Sequence, residues 1–206
     1  MILLAHALAE ELAFWQPRDD VVLLETGVGP VDAASAVARA LASARYDLVV
    51  NAGIAGAFAG AAAVGDAVAV GEELFELSLE TGKPLSLPSG KRVTDAARGD
   101  AALLERLAKA GFPILRGITV ARVTASDATA ARLAGLGAQV ESMEGFAVMR
   151  AAERAGVPVV QVRGISNRVG ARDEAGWDFE AGRRGLQRVL RALCAIVDAR
   201  ASARPR

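Results

Sequence analysis

Short runs of apolar residues recur along this chain with little polar alternation inside them: Ile2–Ala7, Val21–Glu25, Leu48–Ala52, Asp66–Val70 and Val157–Ile165. A strand that is apolar on successive residues is buried on both faces, so it needs a covering layer above and below its sheet. The covers lie between the runs. Helical periodicity spans Ala9–Trp15, Pro30–Ala44, Ala101–Ala110, Met143–Ala155 and about Asp178 to Arg200, with Pro30 in a first turn and Gly156 as a stop. Ser126 opens a further helix with Asp127 in its first turn; Ile114–Val123 holds one or two strands and Val140 ends another. This alternation predicts one α/β domain over residues 1–206, three-layered, with a mostly parallel or mixed central sheet flanked by helices. Glu72–Lys91, with Pro84 and Pro88, reads as an excursion loop.

Composition removes several function classes. Lys and Arg number 24 and Asp and Glu 24, a zero net charge that argues against nucleic acid or an anionic membrane as partner. Leu48–Val70, the longest apolar stretch, is interrupted by Asn51, Asp66 and glycines and cannot be a spanning helix. Met1–Ala5 reads as the start of a buried strand instead of a leader, and the expectation is a cytoplasmic protein. A lone Cys194 and a lone His6 leave no disulfide framework and no multi-Cys or multi-His metal site. No metal and no organic cofactor is expected.

Sheets of this kind bind ligands beyond the carboxyl ends of their strands. The segments there are Glu10-Glu11, Gly27-Val28-Gly29, Asn51 to Gly56, Glu141 to Gly145, and Arg163 to Asn167. Each has a plain structural reading as well. Glu10, Glu11 and Glu144 suit a helix N-terminus, and the glycines suit ordinary strand-to-helix turns. Arg163 resists this, because it interrupts a strand that is otherwise buried, and a buried guanidinium calls for a carboxylate or an anionic ligand. His6 and Cys194 read as core residues, and Trp15 and Trp177 as packing or as a pocket lid.

Met143-Glu144-Gly145, Gly156-Val157-Pro158 and Arg163-Gly164-Ile165-Ser166-Asn167, with Glu10-Glu11 and Asn51 to Gly56 in order before them, resemble the nucleoside phosphorylase and nucleosidase superfamily. The first loop, His6 to Glu11, lacks an Arg, and Ile54 is aliphatic where relatives often carry a hydroxyl; both favour water over phosphate as acceptor. Asn167 stands where adenine-specific nucleosidases have Asp. An amide NH₂ offers two donors to the N7 and O6 acceptors of a 6-oxopurine, whereas a carboxylate faces their lone pairs. With Ile165 to Asp173 reading ISNRVGARD, the chain resembles the futalosine hydrolase family, which cleaves futalosine to hypoxanthine and dehypoxanthinylfutalosine for menaquinone biosynthesis.

That resemblance implies roles. Glu11 is general base to water, Glu144 holds the ribose hydroxyls, Asn167 holds the purine, and Met143 packs on the sugar. Arg163 pairs with Glu11 or Glu144. Gly53 and Ile54 border the site, Thr129 sits at the purine wall, and Arg168 or Arg172 meets the benzoate carboxylate unless both are simply exposed loop arginines. It also implies a homo-oligomer binding a small-molecule purine nucleoside, with 72–91 reaching a neighbour's pocket. The alternatives are a methylthioadenosine/S-adenosylhomocysteine or aminodeoxyfutalosine nucleosidase, a phosphorylase, and a non-catalytic nucleoside-binding protein.

Overall fold

The computed structural model describes residues 1–78, 85, 87–88, 90, 93–171 and 176–202, the side chains of 200–202 excepted. Strand β1 is Ile2–His6, followed by a single 3₁₀ turn at Ala9–Leu12, β2 (Val21–Glu25), helix α1 (Pro30–Ser43), β3 (Leu48–Ala57) and β4 (Ala67–Phe75). Then come β5 (Ala96–Arg98), α2 (Ala101–Lys109), β6 (Ile114–Thr119), α3 (Asp127–Gly135), β7 (Val140–Ser142), α4 (Gly145–Arg154), β8 (Val159–Arg168) and α5 (Phe179–Ser202).

The sheet is mixed and closes on itself. β3 pairs in parallel with β8, β8 antiparallel with β4, β4 in parallel with β6, β6 in parallel with β7, and β7 antiparallel with β3. β1 and β2 extend the sheet in parallel beyond β3, and β5 pairs antiparallel with β4. Residues alternate between two covers as the pleat requires. Leu4, Val50, Ala52, Val160 and Val162 pack with Leu103 and Leu107 of α2 and with Leu186, Val189, Leu190 and Leu193 of α5. Leu3, Ala5, Val49 and Val159 turn the other way, onto Ala33 and Val37 of α1 and Val148, Met149 and Ala152 of α4. Inside the closed part sit Ala55, Ala57, Val68, Val70, Leu115, Val140 and Ile165.

Helix starts follow local chemistry. Asp100 caps α2 by accepting from the Leu103 amide at 2.9 Å, and Ser126 caps α3 by accepting from the Thr129 amide at 3.2 Å. Gly29 precedes Pro30 of α1 with φ +100°, a conformation that strains any side chain. α4 is different: its first amides are held by side chains from β6 and β7, a point with consequences for the site.

The strands run longer than the apolar pattern suggests. Asn51 to Gly56 is not a turn after β3 but part of it, because the whole strand pairs with β8 from Val49–Val159 to Ala57–Arg168, with one register shift after Ala55. Its glycines admit β8 side chains: a Cβ on Gly53 would lie 2.3 Å from Arg163 Nη1, and one on Gly56 would lie 2.9 Å from Asn167 Nδ2. β4 continues through Glu72 and Glu73 to Phe75 against β6 and β5, so the head of the expected 72–91 loop is sheet. Most of the remainder of that loop lies outside the described residues. Ala9–Trp15 shortens to the 3₁₀ turn because the Glu11 carboxylate folds back onto the preceding amides. β8 and α5 touch through backbone, and a Cβ on Gly164 would fall 1.8 Å from the Gly182 carbonyl.

Candidate active site

The turn after β1 and the middle of β3 and β8 bring Glu11, Gly53, Ile54 and Arg163 together. Glu11 is buried, with Oε2 accepting from the amides of Ala7 at 3.0 Å and Leu8 at 3.1 Å, and Oε1 from that of Ile54 at 2.9 Å. The carboxylate is thus tied both to its own loop and to β3. Arg163, 1% exposed, reaches the same backbone from β8, donating from Nη1 to the Ile54 carbonyl at 3.4 Å. Its Nε and Nη2 are buried without a partner. The expected ion pair of Arg163 with Glu11 or Glu144 is not formed: Arg163 Nη1 and Glu11 Oε1 both border the space beside Gly53 without pairing, and the guanidinium charge acts on Glu73. A buried guanidinium with unsatisfied N–H groups is costly to the fold.

Glu144 is buried at the start of α4, and its Oε1 accepts from the Gly29 amide at 2.9 Å, which joins the glycine turn after β2 to the site. One oxygen is so fixed. Met143 beside it is half-buried. Asn167, half-buried near the end of β8, has its amide orientation set locally: Ser166 Oγ donates to Oδ1 at 2.9 Å, and Nδ2 donates to the Arg168 carbonyl at 3.2 Å. The NH₂ end keeps one hydrogen to give. His6 is structural, its Nδ1 lying 3.0 Å from the Leu8 carbonyl.

Thr129 lines a neighbouring cleft of about 610 Å³ with Phe75, Thr119, Arg122 and Thr124. Thr124, buried, donates through both its amide and its hydroxyl to Glu141, which anchors the loop between β6 and α3. Asp127 at the start of α3 accepts from the Ala171 amide at 2.9 Å, binding that loop to the segment after Asn167. Arg168 is exposed, and Arg172 lies outside the described residues.

A buried polar cluster under α4 escaped the sequence reading. Glu73 of β4 is 0% exposed; its Oε1 accepts from Thr119 Oγ1 at 2.7 Å and from Ser142 Oγ at 3.4 Å, and its Oε2 accepts from Gln161 Nε2 at 2.7 Å. Gln161 accepts in turn from Asn51 Nδ2 at 2.6 Å. Burial pushes the Glu73 carboxyl up to about 7, against the pull of the Thr119 hydroxyl, the Arg163 charge, and the Gln161 and Ser142 side chains. The only signal for Glu73 in sequence was its position three residues past Val70, where the apolar run stops but the strand does not.

The Phosphorylase superfamily model matches residues 12–201. The chain is 40% identical to a futalosine hydrolase of Streptomyces coelicolor, over 86% of this chain and 75% of that protein. It is 36% identical to a futalosine hydrolase of Thermus thermophilus, over 84% and 81% respectively. It is also 30% identical to a 5'-methylthioadenosine/S-adenosylhomocysteine nucleosidase of Haemophilus influenzae, over 78% and 73%. The fold is similar to that of the 5'-methylthioadenosine/S-adenosylhomocysteine nucleosidase from Streptococcus pneumoniae, with a TM-score of 0.81 at 22% identity over 96% of this chain and 99% of that one. Among the described residues no helix is long and apolar enough to cross a membrane. Two buried carboxylates, a buried arginine beside one of them and these relatives agree: the chain belongs to the phosphorylase superfamily and, within it, to the futalosine hydrolases, which are N-ribosyl hydrolases.

Proposed function

We propose that the protein hydrolyses the N-ribosidic bond of futalosine, releasing hypoxanthine and dehypoxanthinylfutalosine. The observation that carries this reading is the meeting of Glu11 and Arg163 over Gly53. A buried carboxylate locked by three amides is a fixed proton acceptor, and the adjacent unpaired guanidinium N–H groups suit the oxygen of a water molecule. A phosphate dianion in the same place would sit against the Glu11 charge, which disfavours phosphorolysis.

In this mechanism the water oxygen bonds to C1′ as the bond from C1′ to the purine nitrogen breaks; Glu11 takes the water's proton, the purine leaves as its anion with the bonding pair, and the proton held on Glu11 returns through solvent to give neutral hypoxanthine and restore the carboxylate. Glu144, with Oε1 on Gly29, accepts from the ribose hydroxyls through its other oxygen and offsets positive charge on the sugar. Met143 packs on the ribose. Asn167 donates a hydrogen bond to the departing 6-oxopurine without yielding a proton; Ser166 supports this role by occupying the amide oxygen and turning the NH₂ outward. Thr129 belongs to the purine wall and Arg168 to the benzoate end. The unit that does this is the single domain 1–206, acting as a cytoplasmic homo-oligomer, with light scattering as the check on its mass.

The decisive experiment measures base release from futalosine, aminodeoxyfutalosine, methylthioadenosine and inosine, each with and without phosphate. Hypoxanthine from futalosine, independent of phosphate, is the expected result. Adenine from the amino substrates would replace this reading with the adenine nucleosidase, and phosphate-dependent release with the phosphorylase.

A further inference from the structure

The Glu73 cluster touches none of the atoms assigned to substrate, yet it is built as carefully as the site. Two glycines make room for the carboxylate: a Cβ on Gly117 would lie 1.8 Å from its Oε2, and one on Gly145 would lie 2.5 Å from its Oε1. The hydroxyls that donate to Glu73 each accept from an α4 amide, Thr119 Oγ1 from Phe146 at 2.7 Å and Ser142 Oγ from Gly145 at 3.2 Å. The polarity is uniform, with carboxylate accepting from hydroxyl and hydroxyl accepting from amide, so negative charge is presented to a helix N-terminus that has no side-chain cap of its own. The residue at that terminus is Glu144.

We propose that Glu73 is a positioning residue for Glu144: through the Thr119 and Ser142 hydroxyls it fixes the first two amides of α4, and with them the backbone from which Glu144 meets the sugar. The inference rests on the ribose-holding role of Glu144 proposed above. Both hydroxyls donate to the same oxygen, Oε1, so the relay exists in either protonation state; ionisation strengthens those bonds and sets a negative charge against the positive end of α4. The charged group facing it is Arg163, from β8. Its neighbours turn elsewhere: Glu72 to Arg98 and Arg116, Glu141 to Thr124, and Glu144 to Gly29.

The test compares wild type, E73Q, T119V and T119S by hypoxanthine release from futalosine across pH, and by hydrogen exchange of the Gly145 and Phe146 amides. E73Q keeps the shape, and reversal of the Gln161 and Asn51 amides satisfies its new NH₂. The expected wild-type kcat/KM rises with pH through about 7, where Glu73 ionises. E73Q keeps both hydroxyl bonds but not the charge that strengthens them, and is expected to lose about tenfold in kcat/KM and to lose that limb. T119V is expected to lose activity while keeping the limb, and T119S to recover most of it. Exchange rises severalfold at both amides in E73Q and at least tenfold at Phe146 in T119V, on the order of the loss of a hydrogen bond, with the rest of α4 protected. If wild type is active and E73Q matches it in rate, pH profile and exchange, the proposal fails. If wild type does not act on futalosine, the substrate reading fails instead, and the exchange experiment alone decides: faster exchange at the two amides upholds the relay and unchanged exchange overturns it.

Discussion

Glu11 and Arg163 occupy the space beside Gly53 from two sides without forming an ion pair: a single methyl group there would stand 2.8 Å from Glu11 Oε1 and 2.3 Å from Arg163 Nη1. Gly53 has an ordinary negative φ, so alanine brings no backbone strain. Its whole effect falls on the two side-chain tips. G53A is expected to lower kcat/KM on futalosine by about 10²-fold, the cost of displacing a catalytic group by about an ångström. The far-UV circular dichroism should be unchanged. A G53A enzyme with wild-type kinetics would show that the close approach has no part in the reaction.

Glu11 accepts from three amides on two different segments. In E11Q an NH₂ replaces one of the accepting oxygens and must face N–H donors, and the general base is gone. The expected loss in kcat is about 10²–10⁴-fold. The opposed donors should also cost about 1–3 kcal/mol in stability, read by urea denaturation. A drop in stability with intact kcat would reassign Glu11 from chemistry to tying the loop to β3.

Asn167 offers the purine an NH₂ because Ser166 holds the amide oxygen. In N167D the same hydroxyl donates to one carboxylate oxygen, and the other turns toward the base. Hypoxanthine O6 then meets a lone pair, while the 6-amino group of an adenine nucleoside gains an acceptor. A mismatch of this kind is worth about 1–3 kcal/mol, so preference should swing toward aminodeoxyfutalosine by about 5- to 150-fold in kcat/KM. The ratio of hypoxanthine to adenine released from equal substrate concentrations measures it. An unchanged ratio would place the recognition of O6 elsewhere, with the loop between β6 and α3 as the next candidate.

The layered α/β architecture was legible because doubly apolar strands have few other solutions, and Arg163 was legible because a charged residue inside such a strand demands a reason. Glu11, Glu144 and Asn167 stood out as polar groups at expected strand ends, and the roles given to them come from the family resemblance. What stayed hidden depended on pairing. Asn51 to Gly56 reads as a glycine turn, and only the β8 partner shows that it is a strand whose missing side chains admit Arg163 and Asn167. Glu73 sits beyond the apolar run that ends at Val70 and looks like a loop carboxylate; its partners Thr119, Ser142 and Gln161, and Asn51 behind Gln161, come from four other segments. Hydrogen-bond networks across distant strands leave no periodic trace in one chain. The sheet closure through β7 has the same character, since it rests on two residue pairs.

Glu73 also carries the pH dependence of stability that the fold predicts. Its carboxyl has an ordinary value of 4.5 in the unfolded chain and about 7 in the folded one, because burial disfavours the charge. Between these values the folded protein holds more protons than the unfolded chain, so stability falls as pH rises through this window and is level above it. The full span corresponds to about 3 kcal/mol. E73Q has no such proton to lose, so the wild-type minus E73Q difference in unfolding free energy should shrink by about that amount between pH 4.5 and 8. Urea melts of both proteins across this range measure it, and parallel profiles would assign the ionisation elsewhere. Above pH 7 the variant should be at least as stable as wild type while releasing hypoxanthine about tenfold less efficiently. A buried charge that weakens the fold and strengthens the reaction is retained for what it positions, and here that is the start of α4 and Glu144.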